Sequence, residues 1–231
     1  MRCFQLAPAL HMRKIRALFH LLDLTFRRLT NGPLSHHEKW RIDRGDKTLR
    51  LDYPLSPNSV VVDAGAYLGD WTAQIATKYD PRIYLFEPAP EYVEALKQRF
   101  HGNPKVVIQP FALGDADRTG GLSTSCDGSS MFRSQELDRQ IQIRDVCAAL
   151  EQLDVPSIDL LKLNVEGAEY EILARLHQGA VLSKIKFIQV QFHPFPADYL
   201  GLYSDCCRFL EESHEIQYKY PFVWESWKRK Q

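Results

Sequence analysis

From residue 60 onward, short apolar runs alternate with stretches of helical period, and this alternation limits the folds open to the chain. Strands that are apolar on both faces are typical of a parallel sheet covered by helices. We therefore predict an α/β domain with a mostly parallel sheet and helices on both faces. The apolar runs begin at residues 60, 83, 106, 158 and 185, and the helical stretches cover about 70–79, 90–101, 145–153, 167–177 and 199–212.

Three other segments have their own patterns. Residues 49–55 alternate apolar and polar side chains, which predicts a short strand leading into the domain. Residues 114–135 are rich in Gly, Ser, Asp and Thr, which predicts a long loop or a small hairpin. Residues 216–220 and 222–224 predict two closing strands around a proline.

The N-terminal segment differs from the rest in charge. Apolar residues recur there at spacings of three and four, which predicts an amphipathic helix that ends at Asn31-Gly32-Pro33. This helix either touches an acidic surface or membrane, or covers the core of the main domain. We predict an N-terminal helical extension over 1–33 and one main domain over 34–231. The basic residues of the segment are Arg2, Arg13, Lys14, Arg16, Arg27 and Arg28, against the single acid Asp23.

Composition and charge argue against several classes of protein. The 231 residues carry 29 Lys and Arg against 29 Asp and Glu, so the zero net charge disfavours a globally basic nucleic-acid binder. The five cysteines are odd in number and form no C-x-x-C pair, which favours reduced thiols and a cytoplasmic protein. The sequence contains no apolar run of about 18 residues, so we predict no membrane span.

The first apolar run leads into a glycine-rich turn. Gly65 and Gly69 form G-x-x-x-G rather than the G-x-G-x-x-G of pyrophosphate-binding dehydrogenases. Ligands of doubly wound sheets bind at the carboxyl ends of the strands. A carboxylate at this end, Asp63, suits a ligand with an ammonium or sulfonium charge better than a diphosphate. The alternative is that Asp63 only caps the turn.

The second run ends in Glu87, 22 residues beyond Gly65. An acid at this distance is placed to accept hydrogen bonds from a ribose diol. With Asp63, it indicates a nucleoside ligand without a phosphate, and S-adenosylmethionine fits that description. The alternative is an ordinary surface charge.

Polar residues also approach the ends of two later runs. Lys162, Asn164 and Glu166 share one parity in a strand that should be apolar on both faces, which indicates a ligand pocket. A buried Lys162 needs a carboxylate partner, for which we predict Glu166 or Glu169. His193 ends the next run and is a candidate general base. A solvated strand edge and a structural histidine are the alternatives.

Four segments resemble the motifs of FkbM-type S-adenosylmethionine-dependent methyltransferases, over about residues 55–195. They are residues 60–71 (VVVDAGAYLGDW), 84–88 (YLFEP), 112–114 (ALG) and 158–169 (IDLLKLNVEGAE). The resemblance implies a Rossmann-like class I methyltransferase fold, with a seven-stranded, mostly parallel sheet that contains one reversed strand. It also implies methyl transfer, usually to oxygen, on sugars or other small natural products.

We accordingly predict an O-methyltransferase that uses S-adenosylmethionine and releases S-adenosylhomocysteine. The predicted partner is a small-molecule acceptor, such as a glycan or natural product, and we expect no nucleic acid and no metal; a homodimer stays open. The predicted catalytic residues are His193, Lys162 and Glu166. The predicted cofactor-binding residues are Asp63, Gly65, Ala66, Tyr67, Gly69, Trp71, Glu87, Pro88, Ala112, Leu113 and Asn164. Ser129 and Ser130 either reach the substrate or are ordinary loop residues.

Two departures from the family pattern keep alternatives open. Asn164 and Gln191 stand where family members commonly have Asp and Glu, and both changes remove negative charge from the crevice. They weaken a mechanism based on a divalent metal and allow a cofactor-binding module with altered chemistry. A carboxylate or N-methyltransferase acting on a peptide or small molecule is a further alternative. The missing third glycine argues against an NAD-dependent oxidoreductase.

Overall fold

The computed structural model describes residues 34–125, 128–130 and 139–231, and it describes side chains outside 122–138. The predicted N-terminal helix lies outside these residues, so the boundary at residue 33 stays a prediction. The chain divides into two compact units, and the boundary lies after Arg50. In the described part of the first unit, α1 (His36–Ile42) begins with a capping box formed by Ser35 and Glu38, and a 3-10 turn (Gly45–Lys47) follows it.

The second unit, Leu51–Gln231, contains the sheets. Its strands are β1 (Val60–Ala64), β2 (Arg82–Phe86), β3 (Val106–Gln109), β4 (Ala112–Gly114), β5 (Arg118–Ser125), β6 (Gly128–Ser130), β7 (Arg139–Asp145), β8 (Ile158–Leu163), β9 (Ile185–Val190), β10 (His214–Tyr220) and β11 (Trp224–Arg229). Its helices are α2 (Asp70–Tyr79), α3 (Pro90–Arg99), α4 (Val146–Glu151), α5 (Glu169–Gln178) and α6 (Tyr199–Ser213), with a 3-10 turn at Leu182–Lys184.

The main sheet has seven strands in the order β10-β11-β9-β8-β1-β2-β3. β11 is antiparallel to both of its neighbours, and every other strand pair in this sheet is parallel. The predicted seven-stranded sheet with one reversed strand is therefore confirmed. The position predicted for the second closing strand, 222–224, is wrong, because the strand that follows β10 is β11, Trp224–Arg229. Phe222 has a left-handed φ of 58° within a turn that the Val223 N–H closes on the Tyr220 carbonyl, so the strand begins only at Trp224.

Helices cover both faces of the main sheet, as predicted. On one face, Leu161 of β8 belongs to a buried cluster with Leu210 of α6. On the other face, Leu85 of β2 belongs to a cluster with Ile75 of α2 and Leu96 of α3. Burying both faces explains why the strands are continuous apolar runs.

The predicted strand within 49–55 is wrong. Leu51 and Tyr53 are buried, as their alternation suggested, but neither lies in a strand. The Leu51 carbonyl and the Tyr53 N–H bond to the side chain of Tyr79. The Tyr53 carbonyl accepts from the Leu55 N–H at 2.8 Å. The Tyr79 hydroxyl donates to the Leu51 carbonyl at 2.8 Å, and the Tyr53 N–H donates to the Tyr79 oxygen at 3.2 Å. These bonds replace the ones that a neighbouring strand would make to the Leu51 carbonyl and the Tyr53 N–H.

A smaller sheet follows β3 and has the order β4-β7-β5-β6. β5 and β6 pair antiparallel, so the small hairpin predicted within 114–135 is present. β7 joins this hairpin to β4. Residues 126–127 and 131–135 of the predicted loop lie outside the described residues.

Candidate active site

The carboxyl ends of four adjacent strands bring the main predicted site residues to one edge of the sheet. Ala64 at the end of β1 is in register with Phe86 on β2 and with Leu163 on β8, and Leu163 is in register with Val190 on β9. The residues that follow these strands are therefore neighbours. Asp63, Glu87, Asn164 and His193 all lie at this edge or within a few residues of it.

Asp63 and Lys162 form a buried ion pair across β1 and β8. The Lys162 Nζ donates to Asp63 Oδ1 at 2.6 Å and to the Gly65 carbonyl at 2.9 Å, and Thr72 donates its hydroxyl to Asp63 Oδ2 at 2.6 Å. The predicted partner of Lys162, Glu166 or Glu169, is wrong. Asp63 is the residue directly opposite Lys162 in the β1–β8 register, and a partner on the neighbouring strand is nearer than one on the following turn.

The two glycines of the turn are required by close packing. Both have a backbone φ of +78°, which residues other than glycine rarely adopt. A Cβ on Gly65 would lie 1.9 Å from the Asn164 carbonyl oxygen, and one on Gly69 would lie 2.7 Å from Leu96 Cδ2. Gly65 thus lets the β1 turn pass directly over the end of β8, and Gly69 lets the start of α2 contact α3.

Glu87 is a buried carboxylate held by backbone donors. The Tyr67 N–H donates to Oε2 at 2.9 Å, and the Ala89 N–H donates to Oε1 at 3.0 Å. Burial raises the pKa of Glu87 to about 7, and these two N–H donors oppose the rise. The Tyr67 ring is 50% exposed and packs edge-on against Tyr92, so an aromatic surface borders the carboxylate's loop.

His193 lies between two glutamates. Its Nδ1 is 2.8 Å from Glu169 Oε1, and its Nε2 is 3.5 Å from Glu166 Oε1, which is long for a hydrogen bond. The Phe195 ring stacks on the imidazole at 5.1 Å, and only 7% of His193 is exposed. This arrangement resembles an acid–histidine pair in which one carboxylate orients the ring.

Glu166 reaches His193 by leaving the strand. β8 ends at Leu163, and Glu166 has a left-handed φ of 55° in the turn before α5. The alternation in the sequence suggested that Lys162 and Glu166 lie on the same face of one strand. Glu166 instead lies beyond the end of that strand. Sequence reasoning did not single out Glu169 for His193. The signal was the spacing E-G-x-E, which places a second acid at the first residue of α5.

The remaining predicted residues have different surroundings. Trp71 is buried, with its ring 5.7 Å from the Lys162 Nζ, and Ala66 is buried beside it in the same core cluster. Pro88 is half-buried after β2. The side-chain oxygen of Asn164 is buried and has no hydrogen-bond partner among the described residues.

Two of the predicted cofactor-binding residues, Ala112 and Leu113, and the two substrate candidates, Ser129 and Ser130, lie in the smaller sheet. Leu113 is 1% exposed in the core, so its side chain is not open to a ligand, whereas Ala112 is half-buried. Ser129 and Ser130 are in register with Thr124 and Ser123 of β5. The side chains of all four residues lie outside the described ones.

The described residues contain neither a cluster of side chains that could hold a metal ion nor a helix that could span a membrane. No three His, Cys, Asp or Glu side chains in the described ranges are grouped so that they could hold a metal ion. None of the helices described here combines the length and the apolar character needed to cross a membrane. A cytoplasmic location and a homodimer stay predictions.

The comparisons with known proteins agree with the fold. The family model for the methyltransferase FkbM domain matches residues 63–220. The hexuronic acid methyltransferase AglP of Haloferax volcanii is 26% identical over 182 residues, which cover 74% of each chain. The crystal structure of a methyltransferase FkbM from Methylobacillus flagellatus aligns with a TM-score of 0.52 and 14% identity. That alignment covers 77% of this chain but 45% of the other, so this chain spans less than half of that protein.

Proposed function

Because this chain belongs to the FkbM methyltransferase family, we propose that it transfers a methyl group from S-adenosylmethionine to a hydroxyl group of a sugar or another small natural product. The observation that carries the proposal is the Glu169–His193 pair at the sheet edge that also holds Glu87. It places a candidate base at the same edge of the sheet as a candidate nucleoside site.

The residues at this edge fit the cofactor. Each oxygen of Glu87 accepts one backbone N–H, so each keeps a second lone pair for a ribose hydroxyl. The unpartnered side-chain oxygen of Asn164 is an acceptor suited to an ammonium group. Exposed Tyr67 supplies an apolar surface beside the same loop. An amide acceptor, a carboxylate and an aromatic ring together suit the amino-acid and nucleoside ends of S-adenosylmethionine.

We assign positioning roles to Asp63 and Lys162. Both side chains are almost fully buried, and they bind each other rather than facing the crevice. Lys162 also donates to the Gly65 carbonyl, so the pair fixes the turn that passes over the end of β8. This assignment replaces direct cofactor binding by Asp63 and direct catalysis by Lys162 as the proposal for these residues.

The proposed chemistry requires a base. Bound S-adenosylmethionine supplies an activated methyl group. An alcohol attacks poorly until its proton moves, and a positioned base contributes about 10²–10⁴-fold to such a step. With its Nδ1 proton donated to Glu169, His193 presents the lone pair of Nε2. Once Nε2 takes the proton, Glu166 at 3.5 Å and Glu169 at 2.8 Å stabilise the imidazolium charge.

The relative that acts on a hexuronic acid supports a sugar acceptor. It also favours a second candidate function, because a hexuronic acid carries a carboxylate as well as hydroxyls. A carboxylate is already a nucleophile and needs no base. The two functions therefore differ in the bond that is formed, an ether or a methyl ester.

The test is product analysis with a defined acceptor. The purified chain is incubated with S-adenosylmethionine and p-nitrophenyl β-D-glucuronide, and the methylated product is treated with mild alkali. A methyl group that survives alkali supports transfer to a hydroxyl, and one released by alkali supports the ester alternative. The corresponding glucoside, which lacks the carboxylate, is the matched control acceptor. No methylation across a panel of sugar acceptors would contradict the proposal.

A further inference from the structure

The carboxylate of Glu169 has no exposed surface and joins two parts of the candidate site. Its Oε1 accepts from the Val165 N–H at 2.9 Å and lies 2.8 Å from His193 Nδ1. Its Oε2 accepts from the Gly167 N–H at 2.9 Å. The two backbone donors stand on either side of Glu166. One buried side chain therefore contacts the imidazole and also holds the turn that carries the second glutamate.

The turn needs this support. Glu166 has a φ of 55°, and a residue other than glycine in this region is strained by about 1–2 kcal/mol. Such a conformation persists only where its surroundings hold it. The bonds from Val165 and Gly167 to Glu169 provide that hold. Without them, we expect the turn to relax and the Glu166 carboxylate to move away from Nε2 of His193.

Glu169 also contacts the imidazole ring of His193 through Nδ1, at 2.8 Å. An ionised carboxylate only accepts hydrogen bonds, so its contact with Nδ1 keeps the proton there and leaves a lone pair on Nε2. Tyr170, the next residue of α5, donates its hydroxyl to the His193 carbonyl at 2.8 Å. The start of α5 thus fixes both the ring and the backbone of His193.

We propose that Glu169 is a positioning residue that keeps the His193 proton on Nδ1 and holds Glu166 beside Nε2. This rests on the proposed function, in which Nε2 of His193 accepts the proton of the acceptor hydroxyl. Among the described residues, the recorded contacts of the imidazole with charged groups are those with Glu166 from the turn and Glu169 from α5. Tyr170 contacts only the backbone of His193 in these bonds.

The test replaces the carboxylate with an amide of the same shape, Glu169→Gln. The amide nitrogen can donate to Nδ1, which moves the ring proton to Nε2, as an Asp→Asn change does beside the histidine of a serine protease triad. Glu171→Gln is the matched control, because Glu171 lies on the same helix and its carboxylate binds Arg118 at 2.6 Å instead.

The direct readout is the tautomer, measured by long-range ¹H–¹⁵N NMR of the histidine rings, with His193 assigned by the loss of its signals in His193→Gln. We expect neutral His193 to carry its proton on Nδ1 in the wild type and in Glu171→Gln, and on Nε2 in Glu169→Gln. With a methyl acceptor, kcat of Glu169→Gln should fall about 10²–10⁴-fold. KM and the Kd for S-adenosylhomocysteine should stay within about threefold, whereas a general loss of structure would change them too.

Two results would overturn this inference without contradicting the proposed function. One is an Nε2–H tautomer in the wild type, which needs no variant and so does not depend on whether Glu169→Gln folds. The other is a folded Glu169→Gln chain with the wild-type tautomer and full kcat. Absence of any S-adenosylmethionine-dependent turnover by the wild type would instead contradict the proposed function, and with it the catalytic purpose of this arrangement.

Discussion

The ammonium group of Lys162 lies 2.6 Å from a carboxylate oxygen of Asp63, and the two side chains are 3% and 1% exposed. A buried pair adds little stability over apolar residues of similar volume, but removal of one partner leaves an uncompensated buried charge. The pair therefore ties the β1 turn to β8, and the geometry of this edge of the sheet depends on both residues.

The first prediction concerns this pair. Lys162→Met should lower the free energy of unfolding by about 3–5 kcal/mol, because it leaves Asp63 charged and buried. Urea unfolding followed by circular dichroism measures the change. Lys186→Met is the control, because Lys186 is 44% exposed at its side chain and 3.9 Å from Asp159, and we expect a loss below about 1 kcal/mol. Equal effects of the two substitutions would show that the buried pair has no special role.

The second prediction separates backbone strain from collision at the glycine turn. Gly65 and Gly102 have nearly the same positive φ, 78° and 81°. A Cβ at Gly102 meets nothing within 4 Å, whereas one at Gly65 lies 1.9 Å from the Asn164 carbonyl oxygen. Gly102→Ala should cost about 1 kcal/mol of unfolding free energy from strain alone. Gly65→Ala should cost several times more and abolish binding of S-adenosylhomocysteine. Similar losses of unfolding free energy for the two substitutions would mean that the end of β8 moves to make room for the added methyl group.

The third prediction is a pH dependence of stability due to Glu87. Burial raises its pKa to about 7 from 4.5, so the folded chain binds this proton more tightly than the unfolded chain. The stabilisation of the folded chain by protonated Glu87 is fully present below about pH 4.5 and is lost as the pH rises to about 7. The loss in the free energy of unfolding amounts to about 3 kcal/mol in total. Glu87→Gln cannot lose a proton and should lack this component.

Thermal unfolding between pH 5 and pH 8 tests this expectation. The difference in Tm between Glu87→Gln and the wild type should shift in favour of the variant as the pH rises, and Glu94→Gln, which alters an exposed acid of α3, should track the wild type. Parallel curves for all three proteins would contradict the raised pKa.

The fourth prediction uses His193 to distinguish the two acceptor chemistries. His193→Gln should lower the rate about 10²–10⁴-fold if a hydroxyl is methylated, because the base is lost. The same change should have little effect if a carboxylate is methylated. His101→Gln, at an exposed position, is the control. Initial rates with the glucuronide and the glucoside give the comparison.

The sequence was informative where the chemistry is local. The apolar runs predicted the central strands, because parallel strands buried on both faces allow few polar residues. Glu87 could be singled out because it follows a strand at a distance from the glycine turn that a ribose-binding acid requires. Gly65 and Gly69 were informative for the same reason, since a positive φ leaves few alternatives to glycine.

The sequence was less informative where the chemistry depends on register. The partner of Lys162 is Asp63, 99 residues away, and only the pairing of β1 with β8 places them opposite each other. In the sequence, Glu169 was a candidate partner of Lys162, and it stands at a helix start, where the helix dipole stabilises an acid. Its contact with His193 appears only when α5 packs beside the end of β9.

The most direct test of the account is a calorimetric titration with S-adenosylhomocysteine. The wild-type chain should bind it with a Kd in the micromolar range, Glu87→Ala should lose this binding, and Glu94→Ala should retain it, because Glu94 is exposed and pairs with Lys97 on the same helix. The absence of a binding heat for a wild-type sample that circular dichroism shows to be folded would contradict the proposed use of S-adenosylmethionine.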